Sequence, residues 1–463
     1  MNQTFTSEER LVSELTADFT DLTDILTKDL KESPELELSS NTERASDSET
    51  DSIQLASVDL FSDSEVESPL YSSMAIDEDN EAEPVVSPEP MNEPIAEAPL
   101  TNTITVGNER GTQFTFNFAE DTPQEVIDGV AQAGENWASV LKDDVDLTID
   151  FTFAPLDAAG GVLGVSMPNF IPRQYSTVNS ALATDVTSLD DRTAVANLPQ
   201  EENVDYLVNN TAENNGSDTP YLDSNSGLNN SNISLTSANA KALGIGLEDL
   251  AAQSGLSVED YTAQINDIYG TEIDPNAPDA TPVFNSNVNW DFDDSDGIAT
   301  DAFDFAGVVT HELGHALGFF SNAELLDVIS VQSIGEIAES LGLEDSDLVA
   351  VLDAVKSDQF ISENEYLPTT FDLYRFSPES FEQGARDFTT NNIEGKYFSI
   401  DGGQTEIAPL AEGLTGELNT DGLSHWQEGL NIGLMDPAFA PGELGEISET
   451  DLLALDVVGW DVA

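Results

Sequence analysis

Two histidines and a glutamate define the chemistry that this chain could carry. His311 and His315 are four residues apart, and Glu312 directly follows the first. On a helix that spacing projects both imidazoles from one face, about one turn apart, where they can share a cation. Neutral imidazole binds Zn²⁺ at about 2.0–2.1 Å, and a catalytic site leaves one position to water, whose pKa falls to about 7. A carboxylate beside the ion, and not bound to it, can take the proton as that water attacks a carbonyl. Glu312 fits that role.

The surrounding residues predict the element that holds the pair. Val308, Val309, Leu313, Ala316 and Leu317 recur at helical spacing, as a buried helix requires. Gly318 follows them, where a left-handed C-terminal turn is expected. The H-E-x-x-H-x-x-G pattern resembles that of the metzincin proteases, in which the glycine reverses the chain and a third histidine follows shortly after. Ser321 occupies that position here, and a hydroxyl is a poor zinc ligand.

The chain has 3 histidines, and the third is His425, in Ser424-His425-Trp426, followed by Gly433-Leu434-Met435-Asp436-Pro437. This order resembles the leishmanolysin-type metzincins, in which an inserted segment separates the glycine from a His-Trp ligand and a Met-turn follows. The resemblance implies that His311, His315 and His425 are zinc ligands, with water as the fourth. It makes Glu312 the general base and Met435 the residue of the Met-turn beneath the metal. Asp436 departs from the alanine expected after that methionine.

The resemblance also implies an α+β fold: a metzincin-like catalytic domain with a twisted mixed sheet, an active-site helix and a largely helical or irregular C-terminal subdomain. An edge strand just before the helix would pair with an extended peptide substrate. The residues alone leave another third ligand open, Glu336 or Glu339, as in proteases whose second helix supplies a glutamate.

Composition narrows the setting. Against 13 basic residues stand 90 acidic ones, a formal net charge of −77. Such a surface repels nucleic-acid phosphates and anionic lipid, so neither is an expected partner; a protein or peptide is. Self-repulsion of this size favours a medium in which salt or bound cations screen it, and the expected location is extracellular or the cell surface. The first residues show no Sec signal peptide, and no apolar run is long enough to span a membrane. Cysteine is absent, which excludes disulfides, zinc–thiolate sites and a cysteine switch on the metal. The protein is expected to be a monomer.

Three segments follow. Residues 1–100, dominated by Ser, Glu and Asp and closed by a Pro-rich linker, read as a mostly disordered acidic segment. Residues 101–321 form an N-terminal catalytic subdomain that ends in the histidine helix. In it, alternation at Phe114, Phe116 and Phe118 predicts a strand, Pro123 to Leu141 a helix, and Val145 to Phe153 another strand; residues 155–235 read as loops with short strands. Residues 322–463 form a C-terminal subdomain with a helical insertion over Ala323 to Lys356, the third histidine, the Met-turn, and a last helix capped by Ser448 or Thr450 and ended by Gly459. The acidic turn Asp291–Asp296 is a candidate Ca²⁺ site, although Phe292 breaks the EF-hand spacing.

The leading functional expectation is a zinc endopeptidase that hydrolyses peptide bonds through metal-activated water. The alternative is a secreted acidic binding or adhesive protein that keeps the fold without turnover.

Overall fold

The computed structural model describes residues 72–73, 75–76, 100–108, 110–155, 163–269, 271, 273–324, 326, 362–365, 367–390, 395–413 and 422–463. Most of the segment 1–100, most of the helical insertion expected over Ala323 to Lys356, and both Glu336 and Glu339 lie outside them. What is described is a mixed α+β protein built on small mixed sheets.

The first strands are β1 (Ser72–Ser73), β2 (Ala75–Ile76), β3 (Leu100–Gly107), β4 (Gln113–Ala119), β5 (Asp146–Asp150), β6 (Thr152–Ala154) and β7 (Gly164–Ser166). After them come β8 (Phe170–Gln174), β9 (Tyr206–Val208), β10 (Tyr221–Asp223) and β11 (Asn232–Thr236). Before the histidine helix lie β12 (Val283–Asn285), β13 (Trp290–Asp291) and β14 (Phe303–Asp304). The last are β15 (Arg375–Phe376), β16 (Arg386–Asp387), β17 (Tyr397–Phe398), β18 (Ala408–Pro409) and β19 (Ala438–Phe439).

Alternation builds the main layer. Phe114, Phe116 and Phe118 leave β4 on one face and are fully buried, while the residues between them are half-buried. β3 pairs antiparallel with β4 and β5 pairs parallel to it. A parallel pair needs a crossover, which is the helix Gln124–Val140; its buried stripe is Val126, Val130, Ala133 and Trp137. Only Phe151 separates β5 from β6, and its amide donates to Asn117 O, so this ladder runs on into a second one ordered β1-β7-β12-β6.

In that second ladder β12 lies parallel to β6 and antiparallel to β7. The resemblance implies an edge strand just before the histidine helix, and at β12 the structure differs. β12 is interior, because the chain at β7 has already doubled back along its outer side. β7 packs against the histidine helix.

Helices Tyr175–Asp185 and Leu189–Asn197 occupy part of a stretch that reads as loop in sequence. Neither has a clean apolar stripe. Ser188 caps the second by accepting from Asp191 N, and packing against the last helix supplies the rest of its stability. The last helix, Glu449–Val458, is capped by Ser448, whose hydroxyl accepts from Thr450 N and Asp451 N, and stops at Gly459 with φ +114°. The acidic turn closes on itself: Asp291 accepts from Asp293 N and Ala299 N, and Asp293 accepts from Ser295 N.

Candidate metal centre

The helix Phe305–Ala316 is buried along its whole length. Its start is fixed by Asp304, whose Oδ1 accepts from Gly307 N at 3.0 Å while Oδ2 accepts from Gly445 N at 3.0 Å. It approaches the Gln124–Val140 helix closely because Gly129 faces Phe305, where a Cβ would meet the ring at 2.5 Å. Trp137 Nε1 donates to Thr310 O at 2.7 Å, which pins one helix to the other a single residue before His311. The expected core stripe Val308, Val309, Leu313, Ala316 and Leu317 is buried throughout.

His311, His315 and His425 come together, all fully buried, with one ligand nitrogen from each lying within 4.8 Å of the others. The Nε2 atoms of His311 and His315 are 3.0 Å apart, and those of His311 and His425 are 3.3 Å apart. Ligands of a tetrahedral ion at zinc–nitrogen distances stand about 3.3 Å from one another. Each imidazole is aimed by its other nitrogen. His311 Nδ1 faces Leu434 O at 2.7 Å, His315 Nδ1 faces Phe319 O at 2.8 Å, and His425 Nδ1 faces Gly422 O at 2.9 Å.

A carbonyl only accepts, so each Nδ1 carries the proton and each Nε2 presents a lone pair. Three lone pairs directed at one another in a dry interior repel, and a cation between them removes the conflict. Burial, reinforced by the neighbouring imidazoles, holds His311 and His315 well below the usual histidine range, and burial moves His425 down to about 4. All three are therefore uncharged at physiological pH and could each offer a lone pair to an ion.

Glu312 is the second observation. Its side chain is fully buried, and neither carboxylate oxygen has a hydrogen-bond partner. Burial, then the charge of Glu324, pushes its carboxyl well above the usual range; the nearby Ser166 amide acts weakly in the opposite sense. A buried carboxyl left without partners costs about 1–3 kcal/mol or more, and a cation beside it would offset that cost. The donor set therefore fits a metal ion on chemistry and on geometry.

Three backbone segments supply the carbonyls, which explains the motif residues around the histidines. Gly318, with φ +115°, turns the chain so that Phe319 O comes back to His315. Met435 is fully buried and packs its thioether against Gly314, where a Cβ would stand 2.5 Å from Sδ. The residue before it, Leu434, provides the carbonyl for His311. Ser321, at the position where a short motif would place the third ligand, instead donates its hydroxyl to Asp372 Oδ1 at 2.5 Å. Its amide donates to Ser424 Oγ at 3.0 Å, tying the end of the glycine turn to the residue beside His425.

Sequence reasoning missed Asp451. It is fully buried on the last helix and accepts from Trp426 Nε1 at 2.8 Å, Leu434 N at 2.7 Å, Met435 N at 3.3 Å and Ser448 N at 2.8 Å. One carboxylate thus joins the His425–Trp426 segment, the Met435 turn and a helix cap. Its signal in the sequence, an acid three residues after Ser448, reads only as a capping residue. Among the described residues, no group of His, Cys, Asp or Glu other than the three histidines has metal-ligand spacing, the Asp291–Asp296 turn included. No helix among them is long and apolar enough to cross a membrane. No protein-family model, curated protein or solved structure matches the chain.

Proposed function

We propose that the chain is a zinc-dependent endopeptidase of the metzincin kind, resembling the leishmanolysin type. The observation that carries this reading is the pairing of three converging Nε2 lone pairs with a buried, partnerless Glu312 carboxyl. A structural metal site has no use for such a carboxyl; a hydrolytic one does. The all-nitrogen donor set suits zinc, among other borderline metals.

Zinc bound to His311, His315 and His425 would supply an acidified water and a Lewis acid for a peptide carbonyl. The chain's own groups do the rest. Glu312 takes the proton of the attacking water on its carboxylate and passes it to the leaving amine, and no covalent intermediate forms. The three carbonyls at Leu434, Phe319 and Gly422 orient the imidazoles and fix the tautomer that leaves each Nε2 free. Burial of the centre excludes bulk water, so every charge there acts strongly.

Metal analysis of the purified protein should give one zinc per chain, and the loaded protein should cleave a casein, gelatin or quenched-fluorescent peptide panel. Glu312→Gln should retain zinc and lower kcat by about 10²- to 10⁴-fold, the usual span of general acid–base catalysis. A wild-type protein that holds zinc and cleaves nothing on the panel is instead the binding or adhesive protein.

A further inference from the structure

A second cluster of buried polar groups forms where β10 runs into the loop Asp223-Ser224-Asn225-Ser226-Gly227-Leu228-Asn229. Calcium loops place oxygen-bearing side chains at alternate positions, and Asp223, Asn225 and Asn229 keep that phase. Glu363 and Asn364, from between Gly318 and His425, complete the cluster. Asn225 Nδ2 donates to Glu363 Oε1, Leu228 N donates to Asn364 Oδ1 at 2.7 Å, and Tyr221 Oη donates to Glu363 Oε2 at 2.5 Å.

The charge of this cluster is unbalanced. Asp223 and Glu363 are each 2 % exposed, and among the described residues neither forms an ion pair with a base. Burial pushes the Glu363 carboxyl up, the Tyr221 hydroxyl draws it down, and the charges of Asp223 and Glu213 push it up again. Buried charges are ordinarily paired or bound to a metal.

Asn229 points to what is needed. It is 1 % exposed, and its Nδ2 donates to Asp223 Oδ2 at 2.7 Å. An ionised carboxylate only accepts, which fixes the amide and leaves Oδ1 as a buried acceptor that no donor reaches. That oxygen faces Gly227. A Cβ there would stand 3.0 Å from Asn229 Oδ1, 2.8 Å from Asn225 Oδ1 and 2.2 Å from Asn364 Oδ1. With φ −68° the backbone at Gly227 suits any residue, so it is the convergence of three amide oxygens that a side chain would disturb.

We propose that this is a calcium site, formed by the amide oxygens of Asn225, Asn229 and Asn364, with Asp223 and Glu363 supplying the negative charge. An all-oxygen donor set selects a hard cation, and calcium tolerates irregular geometry that magnesium does not. The site is separate from the histidine centre and independent of the endopeptidase reading. An ion here would fasten the segment from Glu363 onward to β10. Further along that segment Asp372 accepts from Ser321 Oγ, so the turn beside the third histidine would be steadied as well.

The test uses the full-length protein, loaded with zinc and dialysed into calcium-free buffer, in about 0.5 M NaCl to screen the surface acids. Calorimetric titration should show one calcium per chain with a Kd of about 10⁻³ M or tighter, and calcium should raise the unfolding midpoint more than equal magnesium does. Terbium bound in calcium's place should emit on tyrosine excitation, and Tyr221→Phe should remove most of that emission while the calcium shift persists. Gly227→Ala sets a methyl group among the oxygens and should weaken calcium binding about 10-fold or more. Asn229→Asp adds a charge beside Asp223; its midpoint should fall without calcium and rise with calcium by more than that of wild type.

A wild type that binds no calcium under these conditions overturns the proposal, as does binding without tyrosine-sensitised terbium emission. So does a calcium shift that is the same in Gly227→Ala as in wild type. Should Gly227→Ala not fold, Asn229→Asp decides: a variant that calcium fails to restore means that Asn229 Oδ1 meets only water.

Discussion

At the scale of single residues, the centre depends on a glycine as much as on its histidines. Gly314 costs its helix about 1 kcal/mol relative to alanine by intrinsic propensity. Its lack of a Cβ, however, admits the Met435 thioether, with Trp137 closing the space at 3.4 Å. Met435 is fully buried, and its amide is held by Asp451, so it has little room to retreat. Gly314→Ala should therefore destabilise the fold by about 1–2 kcal/mol despite the gain in propensity, as overpacked cores do. Chemical denaturation decides this, and a stabilised variant would show that Met435 is not wedged against the helix.

At the scale of elements, the last helix acts as a clamp through Asp451. Asp451→Ala would leave Trp426 Nε1, Leu434 N, Met435 N and Ser448 N without their acceptor. Orphaned buried donors cost about 1–3 kcal/mol each, so a loss of at least about 3 kcal/mol is expected. Because Leu434 also orients His311, zinc affinity measured by competition with a fluorescent chelator should fall about 10- to 100-fold, and Asp451→Asn should recover part of it. Unchanged zinc affinity in a folded Asp451→Ala protein would remove Asp451 from any positioning role.

The same helix brings Asp456 close to the acids of the Tyr175–Asp185 and Leu189–Asn197 helices, and this cluster carries a pH dependence. Burial, then the charges of Asp461, Asp143, Asp191 and Asp456, moves Asp185 up to about 7, and burial moves Asp143 and Asp456 up to about 6. A raised carboxyl binds more protons folded than unfolded, so its stabilising effect is full below about pH 4 and is lost as pH rises through about 6 to 7. Thermal unfolding midpoints should fall over that window, and Asp185→Asn should flatten the fall while changing little at pH 4. A variant whose profile parallels the wild type would show that Asp185 titrates normally.

At the scale of the whole molecule, 13 bases cannot neutralise 90 acids, and repulsion opposes the compact state. Raising NaCl from 0.01 M to 0.5 M shortens the screening length from about 30 Å to under 10 Å and should raise the unfolding midpoint steadily. A midpoint independent of salt would mean that the acids lie too far apart to interact. Salt that screens these acids favours the folded chain.

The sequence by itself determined what is local. Helical spacing placed His311 and His315 on one face with Glu312 between them, Gly318 marked the reversal, and alternation at Phe114, Phe116 and Phe118 marked the sheet, because these depend on neighbours a turn or a strand apart. For a third ligand it left His425, implied by the resemblance, beside Glu336 or Glu339. Only the tertiary structure decided which carbonyl orients each ring, that Asp451 ties three segments together, and that β7 packs along the histidine helix. It also paired Ser72–Ser73 with β7 and Ala75–Ile76 with β19. Such contacts join segments far apart along the chain, and backbone carbonyls and amides, which make most of them, are the same at every position and leave no mark in the order of side chains.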